Sequence, residues 1–348
     1  MTGFAIADRS IGLDRPPYVV AELSANHGRN LPNALAAIEC AKECGADAIK
    51  LQTYTPDTMT LDLDGPDFQI VGGPWDGRGL YGLYEEAHTP WEWHAALFAR
   101  AREIGITIFS TPFDETAVDL LERLDAPAYK IASFELVHLP LIRRVAATGK
   151  PTIMSTGMAS LSEIEEAVMT FRAAGGHELV LLHCVSGYPT PPEQSNLQRI
   201  PALAERFGVP VGLSDHTLGT EVAIAAVALG ACFIEKHFTL CRSDGGPDAA
   251  FSLEPAEMRA LTRGARIAFE ALGTGTESRS EIEAGSMVFR RSLYVVEDVA
   301  AGEEFTARNV RVIRPGYGLA PKFLPDILGR RAARAVTRGT RVTWDIIA

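Results

Sequence analysis

Eight short β-rich apolar runs, each separated from the next by a longer segment, constrain this chain more than any other feature. They are YVVAELSA, AIKLQTYT, TIFSTPF, AYKIASF, PTIMSTG, LVLLHCV, PVGLSDH and CFIEKHF, all within the first 270 residues. Between them lie segments of helical periodicity such as LPNALAAIECAKECGA, PWEWHAALFARAREIG, LSEIEEAVMTFRAAGG and LGTEVAIAAVALGA. Several of these end in glycine before the next strand, where a helix stop favours it. Eight β-then-α units are the count of a TIM (β/α)8 barrel, an α/β fold. The alternative is a doubly wound open sheet, but no G-x-G-x-x-G follows the first run.

Composition limits the partners. The formal charge of −11 argues against nucleic acid or an anionic membrane as the main partner. The start, MTGFAIADRS, lacks the basic and apolar regions of a secretory signal. The longest apolar stretch, VAIAAVALGACFI, is too short to span a bilayer. Five scattered cysteines, an odd number, fit reduced thiols in a cytoplasmic protein better than a disulfide framework.

Two departures from the repeat mark the organisation. Residues 56–89 separate the second strand from its helix, and a connection this long suits a lid. Around 273–291 the periodicity lapses, and the remainder has short strands, turn glycines and more basic residues. The expected domains are therefore a catalytic barrel over 1–272, a linker over 273–291 and a small β-rich domain over 292–348.

The C-terminal strand ends of such a barrel surround the active site. Here they carry Glu22, Ser24, Asn26 and His27, then Lys50, Gln52 and Thr53, then Ser110, Thr111 and Asp114. Lys130, Ser133 and Glu135 follow, with Ser155 and Thr156, and then His183, Ser186 and Tyr188. The last two strands end in Ser214-Asp215-His216 and Glu235-Lys236-His237. A purely structural barrel has no need of polar groups at all eight ends. His216 and His237, on neighbouring strands at similar depth, suggest a shared divalent ion with open positions, Mn²⁺ or Mg²⁺ rather than structural Zn²⁺. Lys50 and Lys130 beside Ser133, Ser155 and Ser214 suggest a small anion held without a P-loop. The plainer reading has these lysines neutralising Glu22 and Glu135.

Ordered motifs then give a resemblance over essentially the whole chain. AELSANHGRN, KLQTYTPDTM, STPFDE, YKIAS, STGMAS, HCVSGYPTPPEQSN, GLSDHTLG, EKHFT and GGPDAAFSLEP resemble the sialic-acid synthase family. The segment FRRSLYVVEDVAAGEEFTARNVRVIRPGYGL resembles the family's SAF (antifreeze-like) domain. Within the family, GGPWDGRGLYGLYEEAHTPWEW, KHFTLCRSDGGPDAAFSLEP and RPGYGLAP look like the pseudaminic acid branch. Ser186-Gly187 and Ala249 depart from the N-acetylneuraminate branch.

The resemblance implies condensation of phosphoenolpyruvate with an acetamido sugar, 2,4-diacetamido-2,4,6-trideoxy-L-altrose in this branch. N-acetylneuraminate and legionaminate synthesis are the alternatives. It implies that His216 and His237 hold Mn²⁺, Mg²⁺ or Co²⁺, which polarises the sugar aldehyde. Glu22 would handle protons and Glu235 a metal-bound water. Lys50, Thr111, Lys130, Ser133, Ser155, Ser186 and Ser214 would cradle phosphoenolpyruvate, while Glu135, Tyr188 and Asp248 would contact the sugar. Arg314, from a swapped SAF domain, would complete the partner's barrel in a homodimer. A metal-dependent hydrolase fits less well, because such barrels commonly place H-x-H on the first strand and none occurs here.

Overall fold

The computed structural model describes residues 4–276 and 280–348. The chain divides into two compact units, Met1–Gly273 and Thr274–Ala348. In the first, a hairpin of β1 (Phe4–Ile6) and β2 (Arg9–Ile11) precedes eight parallel strands. These are β3 (Tyr18–Glu22), β4 (Ala48–Thr53), β5 (Thr107–Pro112), β6 (Tyr129–Ile131), β7 (Thr152–Ser155), β8 (Leu179–Cys184), β9 (Val211–Asp215) and β10 (Phe233–His237). They pair in sequence order, and β10 closes on β3 to complete the barrel. A helix follows each strand, from Leu31–Glu43 to Pro255–Leu272. The sequence signals the starts of these helices well: Ser160 and Glu163 form a capping box, and Asp114 accepts from Thr116 N and Ala117 N.

Strand parity separates two cores. Val19, Ala21, Ile49, Leu51, Leu181 and Leu213 pack outward with the helices. Tyr18, Val20, Phe109, Ile153, Leu182 and Phe233 fill the barrel with Ile6 and Ile11 of the hairpin. Side chains alternate across a strand, so continuing the inner row toward the C-terminal ends places Glu22, Lys50, Thr111, Lys130, Ser155, Ser214, Glu235 and His237 at the mouth. The strand ending Glu235-Lys236-His237 therefore sends its two outer members inward and Lys236 outward. The hairpin escaped the sequence reading because strands of three residues carry too little periodicity.

The 56–89 segment is more ordered than an open loop. It contains the helices Pro56–Met59 and Leu80–Ala87, and between them a hairpin-like turn in which Gln69 bridges Gly79. Ile70 N donates to Arg78 O at 2.9 Å, and Gly77 N donates to Ile70 O at 2.9 Å. The tip turns through Gly72, Gly73 and Gly77, all at positive φ, where a Cβ would be strained.

In the second unit β11 (Ser292–Val295) pairs antiparallel with β12 (Val310–Ile313) over a core that includes Leu293, Phe305 and Val342. The 273–291 stretch read as linker contains the helix Glu281–Ser286, started by a capping box of Ser280 and Glu283. Its residues 277–279 lie outside the described residues. No helix among the described residues is long and apolar enough to cross a membrane.

Candidate active site

The mouth gathers two lysines and two carboxylates first. Lys50 Nζ lies 2.8 Å from Glu22 Oε2 and 3.7 Å from Glu235 Oε1, and it donates to Thr111 Oγ1 at 3.1 Å. Lys130 Nζ donates to Ser155 Oγ at 2.7 Å and lies 3.4 Å from Glu235 Oε1. Ser214 Oγ donates to the same oxygen at 3.2 Å. Glu235 thus sits between the lysines, and the carboxylates paired with them are Glu22 and Glu235; among the described residues Glu135 makes no ion pair within 4 Å. Gly157 brings the next loop close, its N donating to Ser133 Oγ at 3.1 Å. A Cβ there would fall 2.4 Å from Ser186 Oγ and 2.7 Å from Ser133 Oγ, so only glycine permits both hydroxyls at this point.

This environment drives the two carboxylates apart. Burial raises the Glu22 pKa above its ordinary value, with Lys50 opposing and Glu235 adding to the rise. Burial also works against charge on Glu235, but Lys130 and Lys50 outweigh it and hold that carboxyl low. Burial lowers Lys130 despite Glu235, whereas at Lys50 the two carboxylates overcome burial and raise it. One carboxyl is poised to exchange a proton while its neighbour stays a fixed charge, the arrangement expected where acid–base work is divided.

A hydrogen-bond chain runs from this cluster to the other side of the mouth. Gln52 Nε2 donates to Glu22 Oε1 at 2.9 Å and to Ser24 Oγ at 2.8 Å, and Ser24 Oγ donates to Asp248 Oδ2 at 2.5 Å. Beside it stands an aromatic group. The Tyr188 ring centroid lies 4.4 Å from His216, 5.3 Å from Phe251 and 5.6 Å from Trp75. Glu135 is mostly buried, and burial pushes its carboxyl up to about 7 against the pull of Lys130. Arg314 belongs to the second unit, exposed just past β12.

His216 and His237 do meet, with ring centroids 5.4 Å apart. His216 Nδ1 donates to Val185 O at 3.0 Å, which leaves the Nε2 lone pair available. His237 Nδ1 is buried without a hydrogen bond, and burial holds the imidazole well below its ordinary pKa, so it is neutral. Asp248 Oδ2 is 3.8 Å from that nitrogen. Among the described residues no three His, Cys, Asp or Glu side chains form a ready-made metal cage. Burial opposes charge on His216, but Cys184 and Val185 O outweigh it and raise its pKa, while His237 offers an unpartnered nitrogen; two imidazoles so placed fit a divalent ion that keeps open positions.

Other polar strand ends serve the fold. Outward-facing Lys236 donates to Asp215 Oδ2 at 2.7 Å and Thr217 O at 2.5 Å, fixing the exit of β9 next to His216. Asn26 Nδ2 donates to Phe238 O and Ser252 Oγ, and His183 Nε2 donates to Ser195 O at 2.6 Å. Three residues at the mouth had no site role assigned from sequence. Gln52 and Cys184 share the inward parity of Lys50 and Leu182, which could have revealed them. Cys184 Sγ sits 3.8 Å from His216 Nδ1. Trp75 carries no such signal, because its place depends on how a long connection folds back.

Residues 37–277 match the NeuB family, and residues 290–348 match the SAF domain. A pseudaminic acid synthase from Campylobacter jejuni is 47% identical over 94% of this chain and 95% of its own length. An N,N′-diacetyllegionaminic acid synthase from Legionella pneumophila is 36% identical over 95% and 94%. Among solved structures, an N-acetylneuraminic acid synthetase from Leptospira borgpetersenii superimposes with a TM-score of 0.74 at 31% identity, covering 82% of this chain and 95% of that one.

Proposed function

We propose the reaction from the family: the chain belongs to the NeuB family of phosphoenolpyruvate-condensing synthases, and it acts as a pseudaminic acid synthase. C3 of phosphoenolpyruvate bonds to the aldehyde carbon of open-chain 2,4-diacetamido-2,4,6-trideoxy-L-altrose. Water adds at C2, the aldehyde oxygen takes up a proton, and phosphate leaves with its bridging C–O bond broken. One observation carries this reading: a buried pair of lysines around Glu235 opens into the same mouth as two adjoining imidazoles. One half suits an anion and the other suits a carbonyl acceptor.

Lys50 and Lys130 hold the phosphate and carboxylate of phosphoenolpyruvate, with Thr111, Ser133, Ser155, Ser186 and Ser214 as neutral donors. Glu235 keeps both ammonium groups in place between turnovers. Glu22, with its raised pKa and its orientation fixed by Gln52, enters protonated and gives its proton to the aldehyde oxygen; the carboxylate so freed takes the proton of the water that adds at C2. Asp248, Tyr188 and Glu135 orient the sugar. A divalent ion, Mn²⁺ with Mg²⁺ or Co²⁺ as alternatives, would be held by His216 and His237 and would supply Lewis acidity toward the aldehyde oxygen.

The working form is a cytoplasmic homodimer in which the second unit of each subunit covers the partner's mouth and presents Arg314 to the sugar. Exposed Phe134, Met158 and Leu218 on loops after β6, β7 and β9 support this, as do exposed Phe289, Tyr317 and Trp344 on the second unit. Phosphate release is the test, measured with phosphoenolpyruvate and a panel of acetamido sugars. The diacetamido sugar should exceed N-acetylmannosamine on the order of 10⁴-fold in kcat/KM, since a site built for two amides leaves polar groups unpaired with one. Equal or better turnover of N-acetylmannosamine refutes the pseudaminic assignment.

A further inference from the structure

We propose that Trp75 is a specificity-determining residue, the apolar wall against which the C6 methyl of the acceptor sugar packs. The inference rests on the reaction proposed above and goes beyond it by locating the choice between a deoxy and a hydroxylated sugar. Trp75 stands at the tip of the turn bounded by Gln69 and Gly79, in the long connection after β4. It is fixed there from two sides. The indole Nε1 donates to Pro247 O at 3.0 Å, next to Asp248, and the ring lies 5.6 Å from Tyr188. Tyr188 in turn lies 4.4 Å from His216 and 6.4 Å from His237. Trp75, Tyr188 and the histidine pair thus form a continuous row.

A sugar whose aldehyde carbon lies at the histidines extends its far carbons along this row. The indole has one polar hydrogen, and Pro247 O already accepts it. The ring therefore offers a terminal carbon nothing but apolar surface. A methyl gains by leaving water there, whereas a hydroxymethyl leaves its hydroxyl without a partner from this wall. Pocket discrimination against one added hydroxyl is modest, about 10–100-fold, so the wall tunes the choice rather than enforcing it absolutely. Trp75 is only half-buried on an otherwise exposed turn, so its replacement removes no part of either barrel core.

The experiment compares 2,4-diacetamido-2,4,6-trideoxy-L-altrose with its 6-hydroxy counterpart, using phosphate release at saturating phosphoenolpyruvate. Wild type should favour the deoxy sugar by about 10–100-fold in kcat/KM. Trp75→Ala should bring the two within about threefold, mainly by losing the deoxy sugar, while Trp75→Phe keeps most of the preference. KM for phosphoenolpyruvate should stay unchanged in both variants. Equal losses on the two sugars would mean that the turn merely excludes water, and unchanged ratios would mean that Trp75 reads nothing; either overturns the assignment. If wild type turns over neither sugar, the failure lies in the reaction assigned to the chain, and the role of Trp75 falls with it.

Discussion

Removing the charge of Lys236 alone should cost the barrel far more than removing the whole ion pair. The Lys236 and Asp215 side chains are 0% and 2% exposed, behind the barrel wall, with Nζ 2.7 Å from Oδ2. Lys236→Met leaves Asp215 buried with no opposite charge and strips Thr217 O of its donor. Breaking a buried pair from one side costs about 3–5 kcal/mol. In the double variant with Asp215→Asn, both charges vanish. Asn Oδ1 can still accept from Thr217 N, which Asp215 now does at 2.9 Å. That variant should lose only about 1–2 kcal/mol, the scale of one imperfectly satisfied polar group. Urea unfolding followed by tryptophan emission reads the difference, since three of the four tryptophans, Trp75, Trp91 and Trp93, lie in the barrel unit. The double-mutant cycle should return a coupling of at least about 2 kcal/mol. A Lys236→Met cost below about 1 kcal/mol, or a double variant as unstable as the sum of the singles, would refute the clamp.

Four further outcomes follow from the site. Lys130→Met removes a cation from the anion half and should raise KM for phosphoenolpyruvate by the equivalent of about 2–5 kcal/mol, with a much smaller change for the sugar; an unchanged value with intact folding contradicts the role. Chelation should abolish turnover reversibly and His237→Ala should abolish it outright, so full activity after exhaustive chelation refutes the two-histidine site. Glu135, raised from 4.5 to about 7 by burial, binds more protons folded than unfolded between those values, so its contribution to stability falls as pH rises through that window. Glu135→Gln should gain on the order of 2 kcal/mol over wild type between about pH 5 and about pH 8, and equal differences at both pH values in thermal unfolding contradict the assignment. Mixing Arg314→Ala chains with His237→Ala chains should restore partial activity, since a swapped dimer contains one intact site; no recovery despite subunit exchange refutes the swap.

The barrel was legible because each of its strands carries both an apolar run and a helix behind it. The mouth was legible for a related reason: inward residues on two-sided buried strands are apolar until the strand end, so Lys50, Lys130, Glu235 and His237 stand out. What went unread in the sequence was facing, which strand parity carries. Asp215 and Lys236 look as chemical as their neighbours, yet parity turns them away from the mouth and into a pair. Gln52 and Cys184 look inert and face inward. Trp75 and the β1–β2 hairpin were missed because their positions depend on contacts distant in sequence, Pro247 for one and the inner barrel core for the other.

The distances in the two kinds of pair differ in a way that bears on binding. The outward pair closes at 2.7 Å and Lys50 closes on Glu22 at 2.8 Å, whereas Glu235 stands 3.4 and 3.7 Å from the two lysines it serves. Lys130 is therefore the inward ammonium with no carboxylate at close range. With both Glu22 and Glu235 ionised, the four-residue cluster is formally neutral and has little net attraction for an anion. Glu22 is the member whose burial favours its protonated form. Under the proposed roles, a proton on Glu22 would leave the cluster with one net positive charge when phosphoenolpyruvate arrives, and the bound anion would supply the negative charge that Glu22 gave up. On that reading Lys50, which lies 2.8 Å from Glu22 Oε2, is the lysine freed toward the anion as Glu22 takes its proton.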